Sequence, residues 1–541
     1  MKTPKYLATA VASVLLLAAS GARADAQRES MEELRNTVIN LLQALVDQGV
    51  MTKEKASELV KSAQEQAAQT AATRDTVEEG AVRVTYVPEV VREQLRKEVA
   101  EQMRAEVAAQ VVEQAKEQGW GVPGALPDWL SRVTWTGDIR FRGRLDLFDP
   151  ANVEGVQLDF ATINSRGGIG KAGLDAFTNV TEDRQRMQVQ ARLLLEGAVS
   201  NDVTVGARLV TGNLRDPGSN NETLGQYGAR FTAGFDLAYL RYEPKLDTGF
   251  KWLTVVAGRT ANPYLSTELV FDRDLTFDGV AATLRMPFAD RREASNAFLT
   301  IGAHPLDESD FVKNDKWLLA GQLGADFRFE QNHRLQVAAA YYDYLNTQGR
   351  RNTLDSTRYD YTAPRNLRRG NTLFDIRNDT DVNTNLFALA GQYRLVNATV
   401  NYQLPLGPNV FTLGADYVKN IGWKADDVLA VSGIRAKARV TGYNVESGYG
   451  SQRMSDAWAW RVFFGYRYLQ RDAVLDLFTD SDFHGGGTDA QGFIVGGELS
   501  LPAGISARAR YLAADEIDGP VFAPGANFVQ DVFMLDFTSR F

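Results

Sequence analysis

Cysteine is absent from the 541 residues. That excludes disulfides, thiolate metal sites, cysteine nucleophiles and covalent haem attachment together. Histidine is scarce at three copies, too few and too scattered for a histidine metal cluster. No apolar run reaches the ~20 residues that a membrane-spanning helix needs. Basic charge is outweighed, with 59 Lys and Arg against 68 Asp and Glu for a formal charge of -9. This argues against a nucleic-acid partner, because phosphate binding needs a basic surface. Yet 44% of residues are hydrophobic and 10% aromatic, too many for a disordered chain.

The chain opens with a distinct segment. Residues 1–24 read as a cleaved signal peptide: Lys2 and Lys5, a short apolar run over residues 7–19, then Ala22-Arg23-Ala24 as the small-x-small site. Residues 25–118 are rich in Glu, Gln, Ala, Lys and Val. Leu34, Val38, Leu41 and Leu45 share one helix face, Gly49 ends that helix and Thr52 can cap another. After Pro88 a long helix is expected over residues 89–118. Its Val91, Leu95, Val99, Met103, Val107 and Val111 recur every fourth position, a spacing that drifts around the helix. Two readings stay open: a periplasmic coiled coil or tether, and an amphipathic helix packed on the next domain. Residues 119–131, with Gly121, Pro123 and Pro127, form a hinge.

From Arg132 the period changes to two. Val133, Trp135, Gly137, Ile139, Phe141, Gly143 and Leu145 alternate with Thr134, Thr136, Asp138, Arg140, Arg142 and Arg144. A strand with water on one face and lipid on the other tolerates three arginines in such a row. The theme recurs from Arg186 to Leu195 and from Trp458 to Leu469. Connections alternate long (146–183, 211–232, 346–384, 471–489) and short (200–202, 331–333, 502–504). The expectation is an all-β transmembrane antiparallel β-barrel of about sixteen strands over residues 132–541, preceded by the α-helical segment. An even count puts both ends of the barrel on the periplasmic side. Residues 385–404 read as one long strand or two. The last strand carries Phe533, Leu535, Phe537, Ser539 and Phe541 on one face. That pattern is similar to the assembly signal of outer-membrane barrels.

Parity places eleven charges on the inward face: Arg140, Arg142, Arg144, Arg186, Arg192, Arg208, Arg285, Arg328, Asp138, Glu196 and Asp326. A charge on the lipid face costs ~2–4 kcal/mol at the midplane. Rings of fixed charge set ion passage, so these are the expected pore-lining residues. A weak anion preference is expected from the stacked Arg140, Arg142 and Arg144. The 346–384 loop, with Arg350, Arg351, Arg358, Arg365, Arg368 and Arg369, is one candidate to fold inward and narrow the lumen; the 211–232 loop is another.

Other motifs carry less chemistry. Gly168-Ile169-Gly170-Lys171-Ala172-Gly173 matches G-x-G-x-x-G but lacks the strand-to-helix context of a dinucleotide site; it reads as a flexible external loop. Asp480, Asp482 and Gly485 begin like a calcium loop, but His484 and Gln491 stand where acidic or amide ligands belong. A looser calcium set of Asp476, Asp480, Asp482 and Asp489 remains a candidate. Asp272, Asp274 and Asp278 form a similar acidic stretch. Asx turns and Asp–Arg pairs are the alternative for both. His304, His333 and His484 lie far apart, and no serine has a nucleophile-elbow context, so no enzyme activity and no cofactor are expected.

Specific stretches support a resemblance. They include Val87-Pro88-Glu89, Gly119-Trp120-Gly121-Val122-Pro123, Leu126-Pro127-Asp128-Trp129-Leu130 and Gly137-Asp138-Ile139-Arg140. Gly258-Arg259-Thr260-Ala261-Asn262-Pro263, Phe271-Asp272-Arg273-Asp274, Asp472-Ala473-Val474-Leu475-Asp476 and Thr479-Asp480-Ser481-Asp482-Phe483 follow, with Gly486-Gly487-Thr488 and Gly492. The chain resembles the bacterial "putative porin" family, outer-membrane porins with an N-terminal helical segment. The resemblance implies passive passage of small hydrophilic solutes or ions through a water-filled lumen, without naming the solute. It also implies outer-membrane lipid and the barrel-assembly machinery as partners, leaves a homotrimer open, and puts the N-terminal segment in the periplasm. The rival from another class is a structural outer-membrane anchor carrying a periplasmic coiled coil.

Overall fold

The computed structural model describes residues 132–541, except 213–215, 289–294, 311, 330–332, 382 and 524. The expected signal peptide, helical segment and hinge lie outside the described residues.

Sixteen long strands form one closed antiparallel barrel. They are β1 (Val133–Phe148), β2 (Arg184–Ala198), β3 (Val203–Thr211) and β4 (Ala233–Tyr242). Next come β5 (Leu253–Ala261), β6 (Thr276–Pro287), β7 (Asn296–Asp307) and β8 (Lys316–Arg328). Then β9 (Arg334–Leu345), β10 (Tyr393–Leu406), β11 (Asn409–Asn420) and β12 (Thr441–Ser451). The last are β13 (Trp460–Leu469), β14 (Ala490–Leu501), β15 (Ile505–Glu516) and β16 (Val529–Arg540). A two-residue strand, Glu222–Thr223, pairs beside β2. Closure is made by β1, which pairs with β2 on one edge and β16 on the other, Arg142 standing opposite Asp536.

The alternation in β1 is realised side chain by side chain. Trp135, Ile139 and Phe141 are exposed, while Arg142, Arg144 and Asp146 are buried. In β13, Trp460, Val462 and Phe464 are likewise exposed and Arg467 is buried. An apolar outside and a charged inside is the reverse of a soluble protein, and it is what a strand between lipid and lumen requires.

Two boundaries differ from the sequence reading. Trp458 precedes the strand, at φ 66°, and β13 begins at Trp460. Residues 385–404 give one barrel strand. Phe387–Leu389 leaves the wall and pairs with Leu373–Asp375 in a separate two-stranded sheet. Its alternation serves an inner layer: Phe374, Ile376, Ala388 and Trp423 bury together there.

The interior also holds an apolar cluster. Tyr264, Leu269, Val270 and Phe271 of the β5–β6 loop pack on Leu318 of β8, Tyr342 of β9, Tyr393 of β10 and Val474 of the β13–β14 loop. Tyr264, Phe271 and Tyr342 meet edge to face at 5.1–6.4 Å between centroids or tilted, a geometry favoured by ring quadrupoles. Part of the barrel lumen is thus filled by loops that fold inward onto an apolar stretch of wall.

Phe541 extends the closing seam beyond β16. It exchanges two backbone hydrogen bonds with Gly137, at 2.8 and 3.0 Å, and its ring lies where a Gly137 Cβ would be, 2.6 Å away. Deleting Phe541 removes both bonds and the terminal aromatic of the pattern. The expected outcome is a several-fold lower level of folded barrel in outer-membrane fractions, with degradation products in the periplasm. Normal levels measured by quantitative immunoblotting would rule out a targeting role for this residue.

Candidate functional site

The β13–β14 loop (residues 470–489) is tied to the barrel wall chiefly through Asp482, which gathers three guanidiniums. Asp482 accepts from Arg142 Nη1 at 3.0 Å through both oxygens, from Arg144 Nη1 at 2.7 Å and from Arg510 Nη2 at 2.9 Å. Arg142 also forms a bidentate pair with Asp536, 2.6 and 3.1 Å. These guanidiniums come from β1 and β15, brought side by side because β16 separates them by one strand width. Burial favours the protonated carboxyl of Asp482, but Arg142, Arg510, Arg144 and Arg140 outweigh it and hold the group well below the usual carboxylate range.

The neighbouring loops join the same knot. Arg368 of the β9–β10 loop donates to Asp216 at 2.6 Å and its backbone N–H to Asp476 at 3.0 Å. Ser481 N–H donates to Asp272 of the β5–β6 loop at 2.8 Å, and Ser481 Oγ to the Gly218 carbonyl. Gly370 and Gly487, at φ 106° and 95°, let two loops touch through backbone. A Cβ on Gly487 would sit 2.1 Å from the Arg369 carbonyl and one on Gly370 2.4 Å from that of Thr488. Burial and Asp480 push Asp272 up to about 8. Burial also pushes Asp476 up to about 8, against Arg368.

All eleven charges expected from parity lie on the face opposite the exposed apolar residues. Arg144 and Arg186 share Asp146 at 2.9 and 2.5 Å. Arg192 pairs with Asp138 at 2.8 Å and Asp274 at 3.1 Å. Arg208 pairs with Asp236 at 2.6 Å, Arg241 with Glu196 at 2.9 Å, and Asp326 with Arg334 at 2.7 Å, with Arg328 at 3.8 Å. Arg285 donates to Thr254 Oγ1 and Arg140 to Asn221 Oδ1. The stacked Arg140, Arg142 and Arg144 therefore do not form an open basic wall. Arg142 and Arg144 are buried and neutralised, and Arg140 alone of the three has no ion pair among the described residues.

The calcium candidates are corrected. Asp476, Asp480, Asp482 and Asp489 do not converge, since each turns to its own partner. Asp480 takes Arg467 at 2.9 Å, Asp489 takes Arg471 at 3.5 Å, and Asp476 and Asp482 bind as above. Among the described residues no group of three or more His, Cys, Asp or Glu is placed to hold a metal ion. The glycine motif takes up defined local structure. It continues from the helix Phe160–Arg166 into the turn Ile169–Ala172, and Gly170 N–H donates to the Asn383 carbonyl. His304 bonds Tyr264 and the Asp278 carbonyl, and His484 bonds the Phe528 carbonyl.

Both expected loops fold in, but two unanticipated ones contribute as much. From the 346–384 loop, Leu367 enters the apolar cluster and Arg368 the charged knot. Arg351 donates to the Ser432 carbonyl, Arg358 lies over Tyr359 and Arg365 is exposed. Arg350 lines a separate cavity of about 540 Å³. In sequence the β5–β6 and β13–β14 loops were visible as acidic stretches, the second also as a long connection, and neither was among the loops expected to fold inward. A cavity of about 970 Å³ remains beside the plug, between Phe235, Phe277 and Phe478 and the paired Asp236, Arg259, Asp278 and Lys316.

A family model described as a putative porin matches residues 35–541. No curated protein matches the chain by sequence. Among solved structures the chain is similar to OprB of Pseudomonas putida at high pH, at 10% identity and TM-score 0.43, over 78% of this chain and 97% of that one. It is similar to OmpF of Salmonella typhi in complex with daunomycin, at 12% identity and TM-score 0.38, over 76% and 97%. The outer membrane channel DcaP of Acinetobacter baumannii gives the same identity, TM-score and coverage.

Two outcomes follow for the knot. Asp482→Asn leaves three guanidiniums facing a neutral amide, and removing one partner of a buried pair costs ~3–5 kcal/mol; the unfolding midpoint of the barrel should fall. The raised carboxyls act in the opposite sense. The folded pKa of Asp272 and Asp476 lies above the unfolded ~3.9, so the stability they confer is full below pH ~4 and is lost as pH rises through about 8. Unfolding midpoints should decline from pH 4 to 9, and Asp272→Asn should flatten that decline. A profile unchanged by Asp272→Asn would contradict a proton held there.

Proposed function

Because the chain belongs to the putative porin family, we propose that it is an outer-membrane channel through which small hydrophilic solutes or ions diffuse passively. One observation supports this reading best. The barrel's charged face points inward, and the inward loops leave a cavity of about 970 Å³ lined by ion-paired acids and bases. A barrel of this strand number is wide enough for an aqueous passage, and the loops that fold inward narrow it, leaving the cavity beside them.

The pairing of inward charges bears on selectivity. A guanidinium and a carboxylate in contact form a dipole, whose field falls off faster than that of a bare charge. Arg142 and Arg144, both paired, therefore contribute less to ion choice than Arg140. The reading is a weakly selective pore in which Arg140 tilts the balance toward anions. The exposed apolar belt meets outer-membrane lipid or, in a homotrimer, a second copy. The rival of a structural anchor draws on residues 25–118, which lie outside the described residues. It predicts no ion current.

Single-channel recording on the reconstituted protein tests both. Discrete conductance steps are expected in potassium chloride; their absence would favour the anchor. Arg140→Gln should move the reversal potential toward cations. The shift should be larger at 0.01 M than at 1 M salt, where the Debye length falls from ~30 to ~3 Å. Asp138→Asn, which leaves Arg192 with Asp274 as its one remaining ion-pair partner among the described residues, should move it the other way. Identical reversal potentials at low salt would place Arg140 off the conducting path.

A further inference from the structure

A third, smaller cavity of about 360 Å³ opens at the outer end of β1 and β2, between the wall and the β9–β10 and β13–β14 loops. Its carboxylates are already engaged. Asp146 and Asp482 hold Arg144, Asp216 holds Arg368, and Asp159 caps the helix Phe160–Arg166.

What remains is unbalanced in two ways. Arg369 makes no ion pair among the described residues. Its guanidinium lies over the Phe528 ring at 4.1 Å and reaches one carbonyl, that of Gly486, at 3.4 Å. Burial lowers it to about 9, with Arg368 adding to the effect against Glu516. A half-buried cation beside a like charge is favoured by an anion that offsets it. In the same cavity wall the Arg186 Nε, the Gln188 Oε1 and the Gln530 Oε1 are buried without a hydrogen-bond partner. Gln188 and Gln530 are 7% and 5% exposed, so solvent does not reach them freely. The terminal amide torsion of glutamine is soft, which lets these oxygens turn into the cavity.

We propose that this cavity is a binding site for a small carboxylate bearing several hydroxyl groups, captured at the outer mouth of the channel. The inference deepens the channel reading and rests on it. The chemistry follows from the unpaired groups. A guanidinium is a planar fork of donors that fits a carboxylate bidentately, and Arg369 and Arg186 supply such donors. Amide oxygens only accept, so a ligand must bring hydrogens to Gln188 and Gln530. An aliphatic acid satisfies the arginines and leaves both amides unpaired. A neutral sugar satisfies the amides and leaves Arg369 unpaired. Each omission costs the desolvation of a buried polar group. A cavity of this size lies near the lower end of the ~300–1,000 Å³ usual for ligand sites, which limits the solute to a few carbons.

The test uses the full chain, folded and solubilised in detergent, titrated calorimetrically with potassium gluconate, potassium hexanoate and glucose. Gluconate should bind at least tenfold more tightly than either comparison. Equal binding of hexanoate would overturn the hydroxyl assignment, equal binding of glucose the anionic one, and no binding of gluconate the site itself. Arg369→Gln should weaken gluconate at least tenfold. Gln188→Leu should weaken gluconate and leave hexanoate unchanged; an unchanged gluconate affinity in both variants would also overturn the site. Heat-modifiable electrophoretic mobility reports whether each variant is folded, and if Arg369→Gln does not fold, Gln188→Leu decides. Conduction is measured separately. Gluconate binding without conductance steps would remove the channel reading and keep the site, whereas conductance without gluconate binding would do the reverse.

Discussion

A strand in hydrocarbon has no water to satisfy its N–H and C=O groups, so a sheet that spans lipid must close on itself. Here closure depends on β1, which carries ladder bonds to β2 and β16 at once. Everything else in the described chain follows from that ring. Once it is closed, the period of two divides each strand between lipid and lumen. The lipid face can hold Trp135, Ile139 and Phe141 but not arginine. The arginines of β1 must then face inward, where each needs a partner, and the partners come from β16 and from the loops.

That need for partners explains why the lumen is filled as it is. Arg142 and Arg144 stand two residues apart on one strand, and like charges so close favour a shared counter-ion. Asp482 is that ion, and placing it there draws the 470–489 loop into the barrel. The loop brings Asp480 to Arg467 and Asp472 to Thr372, which fixes the 346–392 segment as well. The apolar cluster around Tyr264 and Tyr342 adds burial that the charged knot alone does not supply. The plug is therefore held by two unlike forces: ion pairs to β1, β13 and β15, and apolar packing on the β8–β10 wall and, through Phe483, on β14–β16.

The barrel itself was legible because its signal is local. Alternation in β1 and β13, and the rhythm of long and short connections, reads off single segments without knowledge of their neighbours. The interior was not legible, because its contacts join distant segments. Asp482 meets Arg142 across 340 residues, and no spacing within 476–489 announces that. The four aspartates spaced like metal ligands were misread because each turns to its own partner: Asp482 to arginines of β1 and β15, Asp480 to Arg467 of β13, Asp489 to Arg471 of its own loop and Asp476 to the backbone of Arg368. Phe387–Leu389 alternates as a wall strand does, and only the inner sheet it joins shows otherwise. Arg140, Arg142 and Arg144 share the face opposite Trp135, Ile139 and Phe141, but parity does not say which acids meet which arginine, and the pairing of Arg142 and Arg144 alone could not be read from it.

Neutralisation changes what such a lumen can discriminate. With most inward charges in contact pairs, the fixed field is a set of local dipoles, strong at a few ångströms and weak across the passage. Such a wall orients polar solutes that touch it and exerts little pull on ions that do not. In the channel proposed above, selectivity then concentrates at groups that make no contact ion pair among the described residues. Arg140 has an amide partner only, and Arg369 a ring and one carbonyl. The first stands on the wall, where, in the channel proposed above, it faces the ion stream. The second lies in a cavity with unpaired amide oxygens and acts on whatever enters it. The same fold thereby separates two tasks, a balanced passage and a charged recess beside it, through the placement of the few charges it leaves unpaired.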